Sequence, residues 1–197
     1  MGRWNIRWSI LLVLWCVTGV KLAAMKVESL DRGWFFNRGY ESQAADKVTV
    51  DLPHTWNAAD AMFGNVIYYR GMSTYSRFIV VPSSENFKRV FLRVKAAQTV
   101  ADVYLDNHFV AQHKGGYTSF TVELTHLIRK GEKHKLDIRV SNAQTMEIAP
   151  ICGDFNIWGG LNRGVELLYT DDACIDPTFY GSSGVFFTQC DVSEKYA

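Results

Sequence analysis

The sequence has almost no excess charge and few residues of the types that bind metals. It contains 21 Lys and Arg against 20 Asp and Glu, a net charge of +1, and no basic cluster interleaved with aromatic residues. A polyanionic partner such as nucleic acid is therefore not expected. The 5 histidines lack the H-x-x-x-H and H-E-x-x-H spacings of zinc sites. No metal site and no cofactor is predicted.

Cysteine is also scarce, with 4 in 197 residues. Three of them, Cys152, Cys174 and Cys190, follow the N-terminal segment and show no C-x-x-C spacing. An odd number in an exported chain leaves at least one thiol unpaired. A domain of this size does not need disulfides, so we expect all three to be small buried residues.

The N-terminal segment has the pattern of a signal peptide. Arg3 and Arg7 are positively charged, and residues 10–20 form an apolar stretch too short for a transmembrane helix. Cleavage is expected near Ala23 and Ala24. Residues 1–24 are thus predicted to be a signal peptide. The mature protein is expected to be periplasmic or extracellular, and no membrane association is expected after the signal peptide is removed.

No alternation of strands and helices is visible, which excludes Rossmann and TIM-barrel folds within this chain. Short apolar runs separated by turn signals instead predict an all-β sandwich or barrel. Asp106 and Asn107 are typical of a tight hairpin turn. Tyr75, Phe78 and Val80 are assigned to one face of a strand, and a single helical turn is expected near 124–129. The strands are predicted at 47–52, 74–81, 89–94, 101–105, 108–112, 119–124, 136–140 and 165–169.

One glycine-punctuated loop carries residue types that suit a polyhydroxylated ligand. In Ala149 to Thr170, Asp154 lies between Gly153 and Phe155, and Trp158 follows. A carboxylate can accept charge-assisted hydrogen bonds from two hydroxyls, and an aromatic ring packs on the C–H face of a sugar. The alternative is that Asp154 caps a turn and Trp158 belongs to the core.

Four segments resemble the N-terminal sugar-binding domain of glycoside hydrolase family 2, which contains β-galactosidases, β-glucuronidases and β-mannosidases. They are VDLPHTWNAAD at 50–60, YYRG at 68–71, HKGGYTSFTVELTHLI at 113–128 and GDFNIWGGLNRGVELLYTD at 153–171. The resemblance implies a jelly roll and assigns Asp154 to the hydroxyls of a terminal sugar. Some family members use an asparagine from the region before YYRG to bind the sugar, and the resemblance implies that Asn65 supplies an amide to a sugar hydroxyl here.

Other residues are secondary candidates for sugar contact. His54, Trp56 and Asn57 are residue types that suit a pocket wall, although Trp56 is expected in the core. For Arg70 and Arg163 we favour structural salt bridges, and Tyr117 is expected to anchor a loop. The candidate substrate-binding residues are therefore Asp154, Asn65, Trp158 and His54.

The resemblance also divides the chain. Residues 25–171 are predicted to be the jelly roll, and residues 172–197 the start of an incomplete immunoglobulin-like domain, since such a sandwich needs about 100 residues. Glycoside hydrolysis needs two flanking carboxyl groups. The family carries both glutamates on a following barrel, and no catalytic residue is predicted here. The expected partners are a terminal glycosyl residue and that barrel in a full-length enzyme; the alternatives are a non-catalytic carbohydrate-binding module and a structural remnant.

Overall fold

The computed structural model describes residues 25–39, 48–60, 68–84, 86–149 and 156–190, together with Ser193. In these ranges no helical segment has the length and hydropathy needed to cross a membrane. The described strands are β1 (Lys26–Ser29), β2 (Trp34–Arg38), β3 (Val48–Val50), β4 (His54–Thr55), β5 (Met72–Val80), β6 (Arg89–Val94), β7 (Val100–Leu105), β8 (His108–Lys114), β9 (Phe120–Glu123), β10 (Lys133–Ser141), β11 (Gly160–Leu161) and β12 (Val165–Thr170).

Two antiparallel sheets pack against each other. The larger sheet has the strand order β3-β2-β5-β10-β7-β8, and the smaller has the order β1-β12-β6-β9. Side chains from both sheets form one continuous apolar core that includes Trp34, Tyr75 and Tyr169, all fully buried. Burying a large apolar side chain contributes about 1.5–3 kcal/mol, so this core is the main stabilising element of the domain. The predicted all-β jelly-roll sandwich is confirmed.

The strands follow the alternation expected from their sequences. In β7, the buried residues Ala101, Val103 and Leu105 alternate with half-buried neighbours. Successive side chains of a strand point to opposite faces, so every second residue of β7 enters the core. β12 is buried along its whole length, and it lies between β1 and β6 in the smaller sheet, so both of its backbone edges are hydrogen-bonded.

The hairpin between β7 and β8 turns at the predicted residues. Asp106 and Asn107 have φ values of 49° and 66°, in the left-handed region that Asn and Asp tolerate best after glycine. The Asp106 carboxylate also accepts hydrogen bonds from the Lys135 backbone N–H (2.7 Å) and pairs with His134 Nδ1 (2.6 Å). The turn is therefore fastened to the start of β10.

Most predicted strands agree with the structure, although four of the described strands, β1, β2, β4 and β11, were not predicted. Residues 89–94 form β6 as predicted. The predicted strand at 47–52 is confirmed only as the shorter β3 within the described residues. The expected turn near 124–129 is present as a hydrogen-bonded turn, in which the Ile128 backbone N–H donates to the Leu124 carbonyl (3.1 Å).

The predicted common face of Tyr75, Phe78 and Val80 is wrong. Tyr75 is fully buried, whereas Phe78 and Val80 are each 48% exposed. Side chains in a strand repeat every two residues, so Tyr75 shares its face with Ile79 instead. On the outer face, the Lys133 ammonium lies 4.1 Å above the centre of the Phe78 ring.

The described residues after β12 form turns and bends and contain no strand up to residue 190. Cys174 is half-buried and Cys190 is exposed, so the expectation that both are small buried residues is wrong. Cys152 lies outside the described residues, as does the proposed signal peptide. The division of the chain at residue 171 stays a prediction.

Candidate functional site

Three short backbone segments meet at one end of the sandwich. β4 pairs with β11, so that Gly160 lies opposite Thr55 and Leu161 opposite His54. On the other side of β11, the Gln98 backbone N–H donates to the Gly160 carbonyl (3.0 Å). Gly160 has a φ of 136°, and a Cβ at this position would lie 2.3 Å from the His54 carbonyl oxygen. Only glycine permits these segments to approach this closely.

A pocket of about 500 Å³ opens beside these segments. Two of the four predicted sugar contacts, His54 and Trp158, both line it, although they are far apart in the chain. The other two predicted contacts, Asp154 and Asn65, lie outside the described residues. The remaining described lining residues are Pro53, Thr55, Ala96, Gln98, Gly116, Tyr117, Asn162 and Arg163.

His54 is held as a neutral hydrogen-bonding group. Burial lowers its pKa, and its Nδ1 lies 2.7 Å from the Tyr75 hydroxyl. Burial also raises the pKa of Tyr75, against a smaller lowering by a hydrogen bond from the Leu161 backbone. One of these two groups donates to the other, so the hydrogen bond between His54 Nδ1 and the Tyr75 hydroxyl fixes the orientation of the imidazole ring at the pocket.

The tryptophans at this end of the domain have different roles. Trp56 is 5% exposed and stacks on Phe36 with ring centroids 6.1 Å apart, which confirms its expected place in the core. Trp158 is 45% exposed at the pocket, so the alternative that places it in the core is wrong. Tyr117 is 65% exposed on the same rim and does not anchor its loop through burial. The pocket therefore offers two accessible aromatic rings.

A buried amide network fixes the segment that leads into β11. Asn57 is fully buried, and its Oδ1 accepts a hydrogen bond from the Gly159 backbone N–H (2.7 Å). Asn142, also fully buried, donates from Nδ2 to the Ile157 carbonyl (3.0 Å) and to Asn57 Oδ1 (3.2 Å). The backbone on both sides of Trp158 is thereby attached to the sandwich. Sequence reasoning gave Asn57 only as a pocket-wall residue and did not single out Asn142.

Two further amide side chains, Gln98 and Asn162, line the pocket and were also missed. Asn162 donates from Nδ2 to Gln98 Oε1 (3.3 Å). A Cβ at Gly116 would lie 2.7–2.9 Å from the three terminal atoms of the Gln98 amide, so Gly116 leaves the room that this amide occupies. The Gly115-Gly116 pair was the available signal, since adjacent glycines mark a close approach of backbone to another group.

The described lining of the pocket carries a positive charge and no acid. Arg163 is exposed at the pocket, and none of the acids in the described ranges lies within salt-bridge distance of it. Arg70 stacks over the Tyr68 ring, 5.9 Å from its centre, and likewise pairs with no acid among the described residues. The expectation of salt bridges for both arginines therefore finds no support in the described part of the chain.

Comparison with known proteins agrees with this architecture. Residues 65–150 match the family model described as the glycosyl hydrolase 2 galactose-binding domain-like domain. The chain contains a galactose-binding-like domain of glycoside hydrolase family 2. This family 2 domain is the sandwich described above, and the matched residues include Gln98, Gly116 and Tyr117 of the pocket.

Similar proteins carry two different activity names. A β-glucuronidase of Bacteroides fragilis is 40% identical over 168 residues, 85% of this chain and 24% of that protein. A β-galactosidase of Thermoanaerobacter pseudethanolicus is 29% identical over 134 residues, 66% of this chain and 18% of that protein. The solved structure of a Bacteroides uniformis β-glucuronidase is 32% identical, with a TM-score of 0.72, over 81% of this chain and 19% of its own. The chain thus spans about a quarter or less of these family 2 relatives.

Proposed function

We propose that this domain binds the terminal sugar of a glycoside on behalf of a β-glucuronidase-like or β-galactosidase-like hydrolase. The observation that carries the proposal is the meeting of His54 and Trp158 in one pocket. Both residues are predicted sugar contacts, and they lie in separate stretches of the sequence. A pocket that combines exposed rings with hydrogen-bonding side chains suits a ligand with an apolar C–H face and a rim of oxygens.

Asp154 is proposed to complete this site. Its loop enters the described structure just before Trp158, in a segment that the Asn57 and Asn142 amides hold in place. No described lining residue is acidic, so a charged acceptor for the sugar hydroxyls has to come from another residue. A carboxylate from the adjoining loop supplies that acceptor.

Bond cleavage is assigned to another part of the full-length enzyme. Two carboxyl groups must flank the glycosidic bond, about 5–5.5 Å apart when configuration is retained. We propose that a catalytic barrel provides both and that this domain supplies contacts to the sugar. The resemblance of residues 153–171 to the family motif supports this division of labour.

We propose that the protein is exported and acts in the periplasm or outside the cell, because residues 1–24 have the pattern of a signal peptide. Expression with the native N-terminus, followed by N-terminal sequencing of the secreted or periplasmic product, tests it. A product that begins near Met25 supports export. Retention of the full N-terminus in the cytoplasm contradicts it.

A free-standing carbohydrate-binding module is the second candidate function. It is favoured by one observation, that a pocket of about 500 Å³ with two exposed rings is lined by this chain's own residues. In that case the chain binds a saccharide without taking part in its cleavage. The two functions share the pocket and differ in whether a barrel must be present.

Titration calorimetry on the whole chain tests the sugar site common to both functions. The ligands are methyl β-D-glucuronide, methyl β-D-galactoside and methyl β-D-mannoside, and Asp154→Ala is compared with Asp172→Ala as a matched control outside the site. We expect saturable binding of at least one glycoside with a Kd of about 1 mM or weaker, since few ordered contacts must offset the association entropy. Binding should be lost in Asp154→Ala and kept in the control. Absence of binding to every glycoside contradicts the proposal.

A further inference from the structure

The side chain of Gln98 is buried, polar and only partly used. Gln98 is 5% exposed and lines the pocket. Its Oε1 accepts the hydrogen bond from Asn162 Nδ2 (3.3 Å), while its Nε2 has no hydrogen-bond partner among the described residues. Nε2 is not one of the fully buried, unpartnered atoms of the described residues, so it reaches the surface of the pocket and its N–H groups are available to a ligand.

The backbone around Gln98 is fixed on both sides. The Gln98 N–H donates to the Gly160 carbonyl (3.0 Å), and the next N–H, of Thr99, donates to the Ser141 carbonyl (2.6 Å). Gly160 belongs to β11 and Ser141 to β10, so Gln98 is tied to two separate strands. A side chain on such a base needs little further ordering when a ligand binds.

The orientation of the amide is fixed as well. Asn162 Nδ2 donates to Oε1 of Gln98, so the oxygen of the Gln98 amide faces Asn162 and its Nε2 faces away from Asn162. Gly116 lies against the amide so closely that even a methyl group there would have to displace it. The amide is therefore held between Asn162 and Gly116 with its donor end uncommitted.

From this geometry we propose that Gln98 determines the specificity of the pocket by donating a hydrogen bond from Nε2 to an oxygen of the bound sugar. The inference rests on the proposed sugar site and names the contact that selects among sugars. His54, which is held by the hydrogen bond between its Nδ1 and the Tyr75 hydroxyl, is a second polar group of the same pocket. A fixed donor at Gln98 selects a saccharide that presents an acceptor oxygen to it.

A donor of this kind rejects ligands that lack the matching oxygen. When a site is built to hydrogen-bond a hydroxyl, an analogue without it leaves the site's buried group unpaired. The fully formed pair contributes about a 3- to 10-fold change in affinity. Removing either the Gln98 donor or the sugar oxygen should lower the affinity by that factor. Removing both should lower the affinity little more than removing one.

A cycle of protein and ligand variants measures this coupling. Gln98→Met keeps the size of the side chain and removes the donor, and Gln98→Glu keeps the shape and replaces the N–H with an acceptor. Gln112→Met is the matched control, because Gln112 donates from Nε2 to Asp102 Oδ1 (2.8 Å) on an exposed strand. Each protein is titrated with the best-bound methyl glycoside and its monodeoxy analogues, and thermal unfolding checks that each is folded.

We expect Gln98→Met and Gln98→Glu to weaken the parent glycoside about 3- to 10-fold and the control to leave it unchanged. One deoxy analogue should bind the original chain that much more weakly and lose nothing further in Gln98→Met. Equal losses for every analogue in both Gln98 variants, or unchanged binding of the parent glycoside, would overturn the role of Gln98 while leaving the sugar site intact. A failure of the unsubstituted chain to bind any glycoside overturns the proposed function and this inference with it.

Discussion

Asn57 and Gly159, which are 102 residues apart in the sequence, are joined by a 2.7 Å hydrogen bond from the Gly159 backbone N–H to Asn57 Oδ1. Asn57 follows β4 and Gly159 precedes β11, so the bond clamps the two strands that border the pocket. Asn57 Nδ2 also donates to Asp60 (2.6 Å) and to the Tyr69 carbonyl (2.9 Å). Every polar atom of this buried amide is thus satisfied by a different part of the chain.

Asn57→Ala should be among the most destabilising single substitutions in the domain. It leaves the Gly159 N–H and the Tyr69 carbonyl without this partner in the interior, at a cost of about 3 kcal/mol in the free energy of unfolding. Urea denaturation measures the change, with the exposed Asn86→Ala as a control expected within about 0.5 kcal/mol of the original. A loss below about 1 kcal/mol would mean that the clamp is not a stabilising element.

Gly159→Ala tests the close packing beneath the pocket. A Cβ at Gly159 would lie 1.9 Å from the Trp56 ring, which is itself stacked in the core. The forced movement should cost about 1–3 kcal/mol. Gly39→Ala is the comparison, since nothing lies within 4 Å of its added Cβ and only its positive φ of 109° opposes the change. Near-UV circular dichroism should change in Gly159→Ala and stay the same in Gly39→Ala.

The ion pair of Arg89 and Glu123 should make stability depend on acid pH. Their side chains meet through two hydrogen bonds of 3.0 and 2.8 Å, and that contact lowers the pKa of Glu123 from 4.5 to about 2. A carboxyl whose pKa is lowered on folding stabilises the protein above its unfolded pKa, and the contribution is lost as the pH falls towards the folded value.

The corresponding measurement is the difference in unfolding free energy between the original chain and Glu123→Gln. With both side chains partly exposed, the difference should be about 1 kcal/mol at pH 7 and should vanish between pH 4.5 and pH 2. Glu132→Gln removes a more exposed and longer contact to Arg129 (3.7 Å) and serves as the control. A Glu123→Gln difference that persists at pH 2 would assign the effect to something other than this charge.

Trp158→Ala should weaken sugar binding without unfolding the domain. The ring is 45% exposed and lines the pocket, so its loss removes stacking on the sugar and little core packing. We expect affinity to fall about 5- to 10-fold, equivalent to about 1 kcal/mol or slightly more. Phe187→Ala, which removes a ring that is 93% exposed and outside the pocket, should leave affinity unchanged. Equal losses of affinity in Trp158→Ala and Phe187→Ala would show that the sugar does not bind in this pocket.

Local pattern was sufficient to predict much of the fold. The residues of β6 and the Asp106-Asn107 turn were predicted because alternation and turn chemistry act over a few neighbouring residues. β4 and β11 could not be predicted in this way. Each has only two residues and exists because the other lies beside it, a pairing set by the tertiary structure.

The candidate site divides in the same manner. Trp158 and His54 were predicted from residue type and family resemblance, and the structure brings them to one pocket. Gln98 has no distinguishing neighbour in sequence. Its importance comes from Asn162, Gly116 and β11, which contact it only after folding.

A crystal structure of the chain with a saturating methyl glycoside tests the central claim most directly. The account predicts density for the sugar in the pocket, with its C–H face against Trp158 and a ring oxygen or hydroxyl within 3.2 Å of Gln98 Nε2. Sugar bound elsewhere on the domain, or an empty pocket at a concentration where calorimetry records saturation, would contradict it.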